Sequence, residues 1–206
     1  NIGVTGATLR ATVTNDGDGN ISDAGFCYST SPNPSTADYK VSCGVQTSSF
    51  TKVLTSLNEN TRYYVRAYVT NERGTGYGEQ AELQTLKVSQ PTLSAVTASG
   101  ITFRSATFAA EVTSAGNGTL KRTGFVYATT QNPTLSNHLL NCGTATTLRA
   151  STSALTASTT YYVRAFAENE KGVGYGPELT ITTKEVPVGT KIGLDDYPDD
   201  NSWDGK

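Results

Sequence analysis

The chain has 206 residues, of which 36% are hydrophobic, and a formal net charge of −2. That length fits two modules of about 100 residues each, an ordinary size for a domain. A near-neutral balance with no basic cluster argues against nucleic acid as a partner, since phosphate must be neutralised by many Lys and Arg. No apolar run approaches the roughly 20 residues that a membrane-spanning helix needs. Gly is abundant, Thr, Ser and Val dominate, and helix-favouring runs are absent, which is an all-β composition.

The first residue is Asn1, and Ala7-Thr8-Leu9-Arg10-Ala11-Thr12-Val13 already alternates as a strand. The chain is therefore expected to be a segment of a longer protein, and its lack of a targeting sequence carries no weight. An Asn-, Asp- and Gly-rich turn follows, then a strand over residues 25–30. Ser31-Pro32-Asn33-Pro34 is a loop, because two prolines do not fit a central ladder. Residues 41–43 and 50–54 form the next strands. In Tyr63-Tyr64-Val65-Arg66-Ala67-Tyr68-Val69, odd positions form an apolar face, while Tyr64, Arg66 and Tyr68 occupy the other. Asn71-Glu72-Arg73-Gly74 turns the chain into a return strand, with Gly74 at the turn.

Nearly all of this recurs. Residues 155–176, LTASTTYYVRAFAENEKGVGYG, match residues 57–78, LNENTRYYVRAYVTNERGTGYG, and Gly172 takes the place of Gly74. Upstream, the copies align with an offset of 99 that falls to 98, which places a one-residue deletion just before residue 155. Residues 87–91 form a short joint stiffened by Pro91. Residues 92–96 supply an unbroken first strand that the first copy lacks, and residues 179–182 close the second copy. Three cysteines make no disulfide framework. Cys27 aligns with Val126 and reads as a small core residue, with a Cys27–Cys43 bridge as the alternative. Cys43 and Cys142 occupy equivalent positions.

Leu57-x-x-x-Thr61-x-Tyr63-x-Val65 and Leu155-x-x-x-Thr159-x-Tyr161-x-Val163 resemble the E–F corner of fibronectin type III domains. The resemblance implies that Tyr63 and Tyr161 hydrogen-bond back to backbone near the corner, with Leu57 and Leu155 beneath them. The Gly-Phe-x-Tyr-(Ser/Ala)-Thr upstream and the Gly-x-Gly-Tyr-Gly ending are similar to tandem repeats of Bacteroidetes surface proteins. The strand B tryptophan of animal members is replaced by Ala11 and Val13, or Ala110 and Val112. The fold implied is all-β, two tandem fibronectin type III-like β-sandwiches plus the start of a third module. Residues 1–87 form a sandwich lacking most of strand A, 88–185 a complete one, and 186–206 a linker and the first strand of a following domain. The location implied is extracellular, at a bacterial cell surface.

Catalysis needs a nucleophile, a base and an orienting group together. The single histidine, His138, lies in the polar stretch Leu135-Ser136-Asn137-His138 and reads as a solvated loop residue; no catalytic motif accompanies it, so no enzyme and no cofactor are expected. Asp16-Gly17-Asp18-Gly19-Asn20 resembles part of a calcium loop but lacks both end ligands, and reads as a turn. In the tail, Asp195, Asp196, Asp199 and Asp200 are metal candidates only if further oxygens join them, and solvated charge is the default. The hairpin tips lack Arg-Gly-Asp. The outward aromatics Tyr64, Tyr68, Tyr162 and Phe166 read as packing groups before sugar platforms.

The leading reading is a non-catalytic spacer or adhesion module that positions a neighbouring domain of the same chain. The alternative is a module that itself binds polysaccharide or a host surface protein, which requires Tyr39, Tyr77 or Tyr175 to gather in an exposed aromatic patch. A strand-exchanging filament subunit is a third reading, drawn from the missing first strand.

Overall fold

Period-two alternation of buried residues is plainest over Ala7–Thr12 and Ala106–Ser114 of the computed structural model, which describes residues 1–188. The tail aspartates Asp195, Asp196, Asp199 and Asp200 lie outside the described residues. The chain divides into two units: Asn1–Gln90 with Ala115–Thr119, and Pro91–Ser114 with residues from Leu120 onward. The described residues contain strands and no helix long and apolar enough to cross a membrane.

The first unit contains β1 (Ala7–Thr12), β2 (Asp23–Ser29), β3 (Tyr39–Ser42), β4 (Ser49–Leu54), β5 (Arg62–Asn71), β6 (Gly74–Tyr77) and β7 (Ala81–Gln84). One sheet runs β3-β2-β5, with β6 and β7 both beside β5; the other is the antiparallel pair β1-β4. Ala7, Ala24, Phe26, Phe50, Leu54, Leu57, Tyr63, Val65 and Leu83 fill the space between them. Phe26 and Phe50 meet across the sheets with ring centroids 5.1 Å apart.

The second unit contains β8 (Thr92–Leu93), β9 (Thr97–Ser99), β10 (Ala106–Ser114), β11 (Arg122–Ala128), β12 (His138–Asn141), β13 (Thr147–Thr152), β14 (Thr160–Asn169), β15 (Gly172–Tyr175) and β16 (Leu179–Thr182). Here β12-β11-β14, flanked by β15 and β16, faces a sheet of β13, β10, β8 and β9. Phe108, Phe125, Leu148, Val163 and Ala165 are fully buried at its centre. This is the fibronectin type III-like sandwich order, and it stands in both units.

Two local readings need correction, and one alternative falls away. The first strand of the second unit is split into β8 and β9 rather than running unbroken over residues 92–96. Leu93 and Val96 are both buried. Residues three apart cannot share one face of a regular strand, so the chain breaks there and the register on β10 shifts between Val112 and Ser114. The one-residue deletion falls earlier than expected: β3 and β12 are offset by 99, β4 and β13 by 98, so it lies in the loop between them. There the turn absorbs it without moving a side chain to the wrong face. Finally, all three cysteines are free thiols. Cys27 lies on the face of β2 opposite Phe26, whereas Cys43 packs against the core, so the sheet separates them.

Burial sets the expected cost of truncation. Phe108 is fully buried while its counterpart Leu9 is only partly covered. Phe108→Ala should destabilise the second unit by about 3–5 kcal/mol, and Leu9→Ala the first unit by clearly less, as read from denaturant unfolding of each variant.

Candidate functional site

Two structural features recur in both units and engage most of the residues singled out by sequence. The first is the crossing from β4 to β5. The Tyr63 hydroxyl accepts a hydrogen bond from the Asn58 backbone N–H at 3.0 Å, and Tyr161 accepts one from Thr156 at 3.0 Å. Leu57 and Leu155 are buried beside them. A second group, not singled out in the sequence, completes the crossing. Thr85 donates to the Asn58 carbonyl at 2.6 Å and accepts from the Thr61 N–H at 2.8 Å; Thr183 repeats both contacts on Thr156 and Thr159. Both threonines are buried. A backbone crossing an apolar gap must have its polar groups paired, and one hydroxyl from each side does this.

The second feature is the outer face of the larger sheet. Gly25 lies directly across from Tyr68, and Gly124 across from Phe166. The aromatic ring lies over the glycine: a Cβ on Gly25 would come within 3.0 Å of the Tyr68 ring and 2.1 Å of the Val41 carbonyl, and one on Gly124 within 3.0 Å of the Phe166 ring. Tyr68 and Phe166 are consequently buried although they point away from the core. Beside them, Arg66 lies over the Tyr77 ring at 4.8 Å and donates to the Gly78 carbonyl at 2.9 Å. Arg164 does the same with Tyr175 at 4.6 Å and Gly176 at 3.1 Å. The tyrosine hydroxyls are occupied too, Tyr77 by Thr36 and Tyr175 by the Leu135 N–H. Cys27 is buried on this face, near the Pro34 and Arg66 carbonyls, and burial pushes its thiol pKa up.

At the edge the two units diverge. In the first, Asp23 accepts from Ser42 and Tyr68 and pairs with Lys40 at 3.0 Å. Burial alone would raise its pKa, yet these hydrogen bonds and the Lys40 charge hold it below 3.8. Tyr68 is pushed up to about 12 by burial and by its bond to Asp23. In the second, Arg122 pairs with Glu168.

The aromatics expected to form one ligand-facing patch are separated in the first unit. Tyr39 pairs with Tyr28 on the core-facing side of the sheet, stacked at 5.3 Å and 66% exposed. Tyr77 pairs with Tyr68 on the outer side. His138 is not a loop residue: it opens β12 and stacks on Tyr127 at 4.9 Å, as Tyr39 does on Tyr28. Gly74 and Gly172 follow two-residue turns at φ 137° and 118°, conformations that favour glycine. The Asp16–Asn20 turn is closed on itself and on the hairpin, with Asn71 donating to the Asp16 carbonyl and Glu72 accepting from the Asn20 N–H. Among the described residues no three His, Cys, Asp or Glu side chains gather in a metal-binding group.

No family model matches the chain, and no curated protein matches it. Solved structures do. Domains A168–A170 of titin overlap with 17% identity and a TM-score of 0.40, covering 89% of this chain and 62% of that one. The chicken CNTN1 FN1–FN3 domains give 14% and 0.39, covering 89% and 65%. A two-domain fibronectin type III segment of chicken tenascin gives 15% and 0.37, covering 89% and 94%. The chain thus spans less than two thirds of the first two.

Tyr63→Phe should cost the first unit about 1 kcal/mol or somewhat more, since the Asn58 N–H loses its acceptor; a denaturant melt reads this directly. Because the folded Asp23 pKa is depressed, its contribution is present above the ordinary value of 3.8 and disappears as pH falls through the lower folded value. An acid melt of Asp23→Asn should therefore lack that part of the acid limb. Tyr68 has the opposite sign: its contribution holds below the ordinary 10.0 and is lost as pH rises towards about 12.

Proposed function

We propose that the chain is a non-catalytic spacer or adhesion segment of a bacterial cell-surface or secreted multidomain protein, and that it positions a neighbouring domain. The observation that carries this reading is the repetition of a self-contained core and a fully paired corner in each unit. A module that keeps its own core transmits position to its neighbours whatever it binds. The polar groups of the outer face support the same reading, because they are engaged with one another rather than left converging on an open site. In this reading residues 1–87 and 88–185 are the two modules, and 186–206 leads into the next domain.

A second reading, a module that binds polysaccharide or a host protein, rests on Tyr39, an exposed ring already stacked on Tyr28. Stacking of this kind is a common way to hold a sugar face. An immobilised glycan panel, offered the chain with and without residues 186–206, separates the two. The spacer reading expects no saturable binding from either form, together with two separate unfolding events when the chain is pulled from its ends. Saturable binding that survives removal of the tail and is lost in Tyr39→Ala would replace it with the second reading.

A further inference from the structure

Two phenols meet where β2 and β3 pair at the margin of the first unit. Tyr28 and Tyr39 are directly opposed in the ladder, and their rings stack with centroids 5.3 Å apart and planes 19° from parallel. Opposed residues have Cβ atoms about 5 Å apart, so the backbone itself keeps these rings together. Tyr28 is half-buried against the core, whereas Tyr39 is 66% exposed. One ring is therefore fixed and the other is reachable from solvent. Neither hydroxyl has a hydrogen-bond partner among the described residues. No buried polar side-chain atom there lacks a partner, so the Tyr28 hydroxyl reaches water as well.

The other tyrosines in ring contact are placed differently. Tyr63 meets Tyr28 edge-on at 6.0 Å, but it is buried and its hydroxyl is held by the Asn58 N–H. Tyr127 and Tyr161 repeat that edge contact at 6.0 Å in the second unit. Their hydroxyls are also engaged, with the Thr152 hydroxyl and the Thr156 N–H. There His138 stands where Tyr39 does and stacks on Tyr127 at 4.9 Å, without a phenol to offer. Both units have the stack; only the first makes it from two free phenols.

We propose that Tyr28 and Tyr39 are a site of oxidative modification, where the two rings couple into a dityrosine that joins β2 to β3. The oxidant is hydrogen peroxide acting through a haem peroxidase. Each phenol gives up one electron and its hydroxyl proton and becomes a phenoxyl radical. The two radicals then form one carbon–carbon bond between ring positions ortho to the hydroxyls. The hydrogens on the bonded carbons move to the oxygens and restore both hydroxyls. In sum, two hydrogen atoms leave the protein, and one peroxide takes them up and becomes two waters. The bond closes residues 28–39 into a ring and fastens β3, the last strand of its sheet, which pairs with β2 alone. A cross-link acts by removing open states of the chain, and a strand held from one side opens readily without it. Under oxidising conditions the first unit thus gains a covalent tie that the second cannot make.

The test treats the full chain with hydrogen peroxide and a haem peroxidase, then isolates the monomer. A mass lower by two hydrogens is expected, with dityrosine fluorescence and a cross-linked proteolytic fragment that contains both Tyr28 and Tyr39. Hydrogen exchange of the β3 amides should slow in the oxidised monomer. Tyr39→Phe should lose all of these signals. Because Tyr39 is exposed, that variant should keep the melting temperature of the untreated chain, which separates lost coupling from lost folding. Tyr63→Phe should still couple. Coupling found only between separate chains would overturn the proposal, as would an intramolecular bond that persists in Tyr39→Phe. So would an unmodified Tyr39 once the peroxide has been consumed.

Discussion

The crossing between sheets is the constraint on which each unit depends. Between β4 and β5 the backbone leaves one sheet and enters the other over an apolar core, and its N–H and C=O groups cannot be left without partners there. Tyr63 and Thr85 hold the first crossing from two directions, and Tyr161 and Thr183 hold the second. Once the crossing is fixed, so is the phase of β5: Tyr63 and Val65 must point inward, and Tyr68 must point outward over Gly25. A one-residue slip would turn every one of these side chains to the wrong face.

From that phase follows the character of the outer face. Outward aromatics beside arginines suggest a binding platform when read as residue types. In three dimensions four of the large rings are already covered or tethered. Tyr68 and Phe166 lie over glycine, while Tyr77 and Tyr175 lie beneath guanidinium groups that also bond to backbone. A ring over a strand glycine restores the packing that the missing side chain cannot give. The arginines stiffen the chain where β6 gives way to β7 and β15 to β16.

The strands, the duplication and the corner were legible in the sequence because each leaves a mark within a few residues: alternation, repetition, or a Leu–Thr–Tyr spacing. What was not legible depended on neighbours distant in the chain. Gly25 and Gly124 look like ordinary strand starts until their partners across β5 and β14 are known. Thr85 and Thr183 are threonines among many, made necessary by a carbonyl 27 residues away. His138 follows a polar stretch, and only the pairing of β11 with β12 brings it onto Tyr127. The break between β8 and β9 was foreshadowed by the spacing of Leu93 and Val96, but choosing between an unbroken and a kinked strand needed the shape of β10. The separation of Tyr39 from Tyr77 followed from register, which no single strand specifies.

The differing edge pairs also bear on how two such similar sequences fold correctly in one chain. The β5 and β14 hairpins are close enough in sequence that either could be offered the other's glycine-bearing partner strand during folding, a known hazard of neighbouring repeats. Asp23 lies across from Thr70, and Arg122 from Glu168. Exchange would set Glu168 against Asp23, two carboxylates face to face, and would leave Arg122 opposite a threonine, with Phe166 offering Asp23 no hydroxyl. Like charges directly across a ladder are destabilising, so a few charged residues at the sheet margin let each hairpin distinguish its own module from the adjacent copy.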